Sequence, residues 1–391
     1  MLSVIHRARK SLGRAFVVLC MGVVAACVPT GGPSTGPAQG NGGSVQVALL
    51  IPSGSGQSQD ELFGASLENA ARLAIGDLSG VQIDLRVYRT GGSPAQASAL
   101  ARQAVDEGAQ VILGPFYSEE ANAAGVAVAS SGVNVLAFSN NTAIAGGNVF
   151  VLGQTFENTA RRLAGYAVRN GKGKVLVVHD RNVAGEVGKT AIERGVSAAG
   201  GSIVGVTSYE FSQNGIVQAA KGIVATAQSS GATAVFLTAD TAGALPLLTQ
   251  LLVDNGLNRS STQMIGLTRW DIPPATLALP GVQGGWFAMP DPGLQAQFQS
   301  RYQAAYGSTP VAVAGLAYDG IAAIGALART SNGAPITRDA LTQTAGFAGV
   351  SGIFRLLPNG TNERGLAVAQ IRGNQVVVID SAPRSFAGVG F

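Results

Sequence analysis

The chain has 391 residues, too many for one hydrophobic core and enough for two lobes with tails. Apolar residues make up 46% and charged residues only 12%, with 54 glycines, which excludes a disordered chain and fits tightly packed α/β units. The net charge of +4 arises at the amino end, where Arg7, Arg9, Lys10 and Arg14 meet no acid; without them the charges balance, so the positive field of a nucleic-acid binder is missing.

The apolar run from Ala15 to Ala26 is too short to span a bilayer and reads, over residues 1–26, as a secretory signal. It ends Val24-Ala25-Ala26-Cys27, which resembles the bacterial lipobox. That resemblance implies that Cys27 is lipidated and becomes the first residue of the mature protein. Val28-Pro29 lack the Asp that usually retains a lipoprotein in the inner membrane, so a periplasmic body anchored to the outer membrane is expected. Cys20 leaves with the signal and Cys27 carries lipid, so no disulfide forms within the chain. Residues 27–44, rich in Gly, Pro and Ser, read as a flexible tether with a reach of roughly 23 Å.

From Ser44 onward the pattern is strand, helix, strand, helix. VQVALLI (45 to 51) is a buried strand, and Phe63, Leu67, Ala70, Ala74 and Leu78 then recur at helical spacing. VQIDLRVY (81 to 88) is the next strand; Ser93-Pro94 starts a helix that Gly108 ends. The stretch Ala109 to Thr142 follows, with strands at Val111 to Leu113 and Val133 to Phe138 around a helix entered at Ser118. The rhythm restarts with helices at 155 to 170, 185 to 199, 214 to 229 and 241 to 255, and strands at 174 to 178, 202 to 208, 233 to 238 and 263 to 267. Alternation of this kind predicts parallel sheets covered by helices on both faces. Helices are expected near 293 to 305 and 311 to 329; the tail, with GIFRLL, LAVAQI and QVVVID joined by tight turns, reads as an antiparallel ribbon.

In this order the segments VALLIPSGSGQ, DEGAQVILGPFYSEEA, VLAFSN, KVLVVHDRNVAGEVG, GATAVFLTAD and FQSRYQAAYGSTPVAVAGLAYDGIAA resemble the type I periplasmic binding-protein family, in its leucine/isoleucine/valine-binding branch. The resemblance implies an α/β fold of two doubly wound, Rossmann-like lobes joined by three crossovers. Residues 45–153 with 288–345 would form the first lobe, and 154–287 with 346–391 the second. It further implies a non-enzymatic, cofactor-free protein that closes on a small polar ligand, such as an amino acid, and hands it to an ABC permease. The chain is also similar to lipoprotein activators of penicillin-binding proteins, in which the fold docks onto a peptidoglycan synthase.

Family position and residue chemistry together give a candidate site. Ser118 and the hydroxyls and amides of Ser139, Asn141 and Thr142 would receive a carboxylate at a helix start, with Phe116 and Tyr117 walling the side chain. On the second lobe Asp240 and Asp271 would receive an ammonium beneath Trp270 as an apolar lid. Glu119 and Glu120 depart from the family pattern and occupy the helix start themselves. Gly185 to Thr190 lacks the first glycine of a phosphate loop, and a single histidine after the signal, His179, leaves neither a triad nor a zinc site.

Overall fold

A computed structural model describes residues 44–331 and 335–387. The expected signal, Cys27 and all of the tether but Ser44 lie outside the described residues. The first lobe begins with β1 (Val45–Ile51), α1 (Ser58–Asp77), β2 (Ile83–Arg89), α2 (Pro94–Asp106), β3 (Val111–Leu113), α3 (Ser118–Val128), β4 (Asn134–Ala137) and β5 (Val149–Val151). These strands form one parallel sheet in the order β2-β1-β3-β4-β5. β1 shows why: Val45, Val47, Leu49 and Ile51 pack into one core with α1, while Ala48 and Leu50 pack into another with α2 and α3. A strand buried on both faces belongs in the middle of a helix-covered parallel sheet.

The second lobe takes α4 (Phe156–Arg169), β6 (Lys174–Asp180), α5 (Val183–Ala198), β7 (Ser202–Tyr209), α6 (Gln213–Ser229), β8 (Ala234–Leu237), α7 (Leu245–Asp254), β9 (Gln263–Gly266) and β10 (Trp286–Met289). α7 starts four residues later than the apolar pattern suggests, because Pro246 lies at its start and residues 240–244 form the preceding turn. The chain then returns to the first lobe with α8 (Pro292–Tyr306), α9 (Ala314–Ser331), α10 (Arg338–Leu341), and a small antiparallel sheet of β11 (Phe347–Gly349), β12 (Gly352–Leu356) and β13 (Asn362–Arg364). It crosses once more to β14 (Ala367–Arg372) and β15 (Gln375–Asp380), an antiparallel hairpin on the edge of the seven-stranded sheet β15-β14-β10-β9-β8-β6-β7.

One expected boundary moves. Residues from 346 are expected in the second lobe, yet Phe347, Val350, Phe354 and Leu356 are buried in the first lobe's core. GIFRLL and the strands after it therefore do not form one ribbon: β12 closes the first lobe, and only β14 and β15 close the second.

The crossovers are tied together. Asn362 donates from Nδ2 to the carbonyls of Val151 and Gly153, both at 2.8 Å. Next to it the Arg364 guanidinium bonds the Leu152 carbonyl (Nε, 2.9 Å) and pairs with Asp319 of α9 at 3.0 Å, where Asp319 is 0% exposed. The other oxygen of Asp319 accepts from the Val350 amide at 2.8 Å. Two crossovers and a first-lobe helix thus meet on one buried ion pair. Asp319→Asn should strand the Arg364 charge and lower stability by about 3 to 5 kcal/mol in chemical denaturation, whereas Asp319→Leu with Arg364→Met should recover much of that loss.

Candidate functional site

β3 and β4 run side by side, Val111 opposite Asn134 and Leu113 opposite Leu136, so their carboxyl ends share one edge. Gly114 makes the turn out of β3. Its φ is +90°, and a Cβ there would stand 2.3 Å from the Leu50 carbonyl oxygen, so no side chain fits. The Phe138 amide donates to the Pro115 carbonyl at 3.0 Å, tying the two strand-end loops to each other. Phe116 is then held against Phe63 (4.9 Å between ring centroids) and Tyr117 (5.0 Å).

Ser118 is the first residue of α3, and the cap position belongs to Tyr117, which makes no side-chain cap bond. Ser118 is therefore not a helix cap; its hydroxyl donates to Glu119 Oε2 at 3.2 Å. The first-turn amides of α3, which no helix can satisfy internally, remain available to a ligand. Ser139 is buried and its Oγ accepts from the Asn141 amide at 3.1 Å, while Asn141 Oδ1 accepts from Ala143 at 3.0 Å.

Five of the expected residues, Phe116, Tyr117, Ser118, Ser139 and Asn141, line one hollow of about 460 Å³, together with Glu119, Phe138, Asn140 and Gly153. Its floor is Gln154 of the first crossover with Val313 and Leu316 at the start of α9. The same three floor residues also line a second, smaller hollow with Arg269 and Ile272 of the second lobe, so the two form one cleft between lobes. Sequence reasoning missed Gln154, Val313, Leu316 and Arg269. The floor residues come from crossovers and from a helix more than a hundred residues away, which no local pattern connects to the loops.

The remaining expectations are corrected. Thr142 opens a short 3-10 turn capped by Asn141 and lines a separate hollow of about 320 Å³ with Arg161, Arg194 and Asn359. Asp271, expected to receive an ammonium, is paired within the lobe: Arg269 holds it at two points, Nε to Oδ1 at 2.6 Å and Nη2 to Oδ2 at 2.5 Å. Trp270 is no lid. It is 0% exposed and fills the space above Gly266 and Gly285, where a Cβ would stand 2.0 and 2.1 Å from its ring. Asp240 is exposed and lines neither part of the cleft.

Two doubly wound lobes meeting at such a cleft match the Periplasmic binding protein family over residues 44–375. The chain belongs to that family. No curated protein matches the chain. Among solved structures it is similar to a putative branched-chain amino acid ABC transporter from Rhodospirillum rubrum, at 21% identity and a TM-score of 0.72, covering 86% of this chain and 100% of that one. It is also similar to an ABC transporter substrate-binding protein from Desulfitobacterium hafniense in complex with Leu, at 17% identity and a TM-score of 0.63, covering 86% and 100%. A third is the solute-binding protein of an ABC transporter from Rhodopseudomonas palustris in complex with 3,4-dihydroxybenzoic acid, at 17% identity and a TM-score of 0.57, covering 87% and 98%. At these identities the likeness is one of fold.

The corrected roles separate by measurement. Trp270→Ala should lower stability by about 3 to 5 kcal/mol, as loss of a buried aromatic does. Asp240→Asn, at an exposed position, should leave the denaturation midpoint unchanged.

Proposed function

We propose that this periplasmic binding protein closes its cleft on a small organic carboxylate, an amino acid or a relative of one, and delivers it to an ABC importer. The observation that carries this reading is the cleft wall at the α3 start. Ser118 at the α3 start, Ser139 and Asn141 line one hollow, where the Ser139 hydroxyl proton and the first-turn amides of α3 are donors that suit a carboxylate. Phe116, Tyr117, Phe138, Val313 and Leu316 supply an apolar surround for the ligand body. Arg269 faces the same cleft from the second lobe; Nε and Nη2 are taken by Asp271, while Nη1 has no hydrogen bond among the described residues. The pair is neutral overall, and its remaining Nη1 protons offer donors to an acid. The Leu complex and the dihydroxybenzoate complex of the two relatives support a carboxylate in either an aliphatic or an aromatic setting.

Closure follows from the same arrangement. A ligand bound to the first lobe completes contacts with Arg269 and Ile272 only when the lobes approach, so it selects the closed state. In this reading the protein is not an enzyme, needs no cofactor, and sits in the periplasm on a lipid at Cys27, more fittingly at the outer membrane. Among the described residues no helix is long and apolar enough to cross a membrane.

A thermal-shift panel of the twenty amino acids and simple aromatic acids tests the reading. At a hundred times its dissociation constant a true ligand adds ~2.7 kcal/mol of stability. Arg269→Leu should weaken it about tenfold or more, equivalent to ~1.4 kcal/mol. No shift with any acid on the panel sinks the reading.

One observation favours a second role, docking onto a penicillin-binding protein as an activator of peptidoglycan synthesis. Val183 and Phe211, at 82% and 55% exposure, are apolar side chains left open at a helix start and a loop that follow second-lobe strands. If they dock, Val183→Asp with Phe211→Asp should abolish capture of a purified penicillin-binding protein without changing ligand affinity. Capture no better than that of a tether-only control rules the role out.

A further inference from the structure

On the other side of Tyr117 lies a second hollow of about 390 Å³, between the starts of α1, α2 and α3. Asp60, Glu119 and Glu120 line it; Asp60 is 4% exposed and Glu120 0%. The Tyr117 phenol donates to Asp60 Oδ1 at 2.5 Å, and that bond, with burial, pushes the phenol up to about 12, so it remains a donor. Glu120 has no such partner. The Thr90 hydroxyl and the Tyr117 backbone lie near its carboxyl, but neither oxygen has a hydrogen bond of full geometry, and the Thr90 hydroxyl donates instead to the Ile51 carbonyl at 3.0 Å.

The charge of this pocket is also unmatched. None of the ion pairs among the described residues involves Asp60, Glu119 or Glu120. Asp60 and Glu120 sit in the first turns of α1 and α3, whose dipoles offset part of the cost of burying them. A dipole supplies no donor to the lone pairs of Glu120, which stay unsatisfied. The space is kept open by Gly91 and Gly92, at φ +60° and +70°; a Cβ on Gly92 would stand 3.6 Å from Asp60 Oδ2. Among the described residues no group of acids, histidines or cysteines has the arrangement of a metal site. What the hollow lacks is positive charge carried by N–H donors.

We propose that this hollow is a subsite for an organic cation, a protonated primary amine or a guanidinium, anchored by Asp60 and Glu120. Tyr117 and Glu119 line both this hollow and the cleft, so a ligand with a carboxylate on the α3 start and a cationic end spans the two. The spanning part rests on the cleft reading above; the cation subsite by itself does not.

Calorimetry on the full chain at low salt separates these statements, with cadaverine and agmatine as cations, leucine and benzoate as acids, and lysine as the molecule carrying both. Glu120→Gln removes a buried charge and is expected to fold at least as well as wild type. Cadaverine should bind wild type, and Glu120→Gln and Asp60→Asn should each weaken it at least tenfold. Asp106→Asn, the same charge change at an exposed position of this lobe, should leave it alone. Lysine should bind more tightly than leucine and lose that advantage in Glu120→Gln. The subsite is overturned if neither cation binds wild type, or if Asp106→Asn weakens cadaverine as much as Glu120→Gln does. Failure of the cleft reading looks different: leucine and benzoate do not bind while cadaverine still does.

Discussion

The arrangement of the lobes depends on one buried ion pair. Arg364 and Asp319 are 3% and 0% exposed at their side chains, and the desolvation of both charges is offset by their pairing and by hydrogen bonds to the backbone. The guanidinium also bonds the Leu152 carbonyl, and the carboxylate also accepts from Val350. Such a pair adds little net stability compared with apolar packing, but it punishes any misplacement of its partners. Here the partners are the first crossover, the last crossover and α9, the helix whose start floors the cleft. Asn158 extends the same tie by donating to the Asn362 carbonyl at 2.8 Å, and Arg162 by pairing with Asp380 at 2.9 Å and donating to the Leu366 carbonyl at 2.6 Å. The crossovers are therefore wired to both lobes through named polar groups.

Around that line the two lobes dispose of their acids differently. On the second lobe Asp271 is matched by Arg269 and Asp180 accepts from the buried Tyr209 phenol, so the loops present a neutral ion pair and apolar side chains to the cleft. On the first lobe Glu120 and Asp60 are buried without a cation and line the hollow next to Tyr117. Burial chiefly raises the Glu120 pKa, and the neighbouring charges of Asp60 and Glu119 raise it further, since two anions in one low-dielectric space resist ionising together. Tyr117 borders both hollows, and of the three acids only Glu119 also lines the cleft, where the Ser118 hydroxyl holds it.

Much of the fold was legible in the sequence because it rests on short-range patterns. A run such as VQVALLI, apolar on both faces, admits little but a central parallel strand, and the helix faces repeat at a period that strands cannot satisfy. The loop residues of the first lobe were legible for a related reason, since two successive strands of a parallel sheet end on one edge. What failed was side-chain fate. Asp271 and Trp270 occupy strand-end positions, but one is neutralised by an arginine two residues away and the other is drawn under two glycines by the area it buries. Nothing in the one-dimensional pattern distinguishes an aspartate that faces a ligand from one that faces its neighbour. The small sheet β11-β12-β13 was misassigned because its pairing partners are local while its packing partners are not.

Tyr117 is where these levels meet. Gly114 has no room for a side chain, so the chain must leave β3 at a sharp angle, and that angle sets Tyr117 at the start of α3 with its ring against Phe116. Its phenol is committed to Asp60, which lies in α1, the helix that packs on the opposite face of the sheet from α2 and α3. One side of the ring borders the cleft and the other the acidic hollow, so motion of Tyr117 is felt in both. Asp60 loses the phenol donor if the ring moves, and the Glu120 carboxyl has no hydrogen bond of its own among the described residues. The same phenol thus lies between the two hollows, and a cation bound to Asp60 as proposed above would compete with it for that carboxylate.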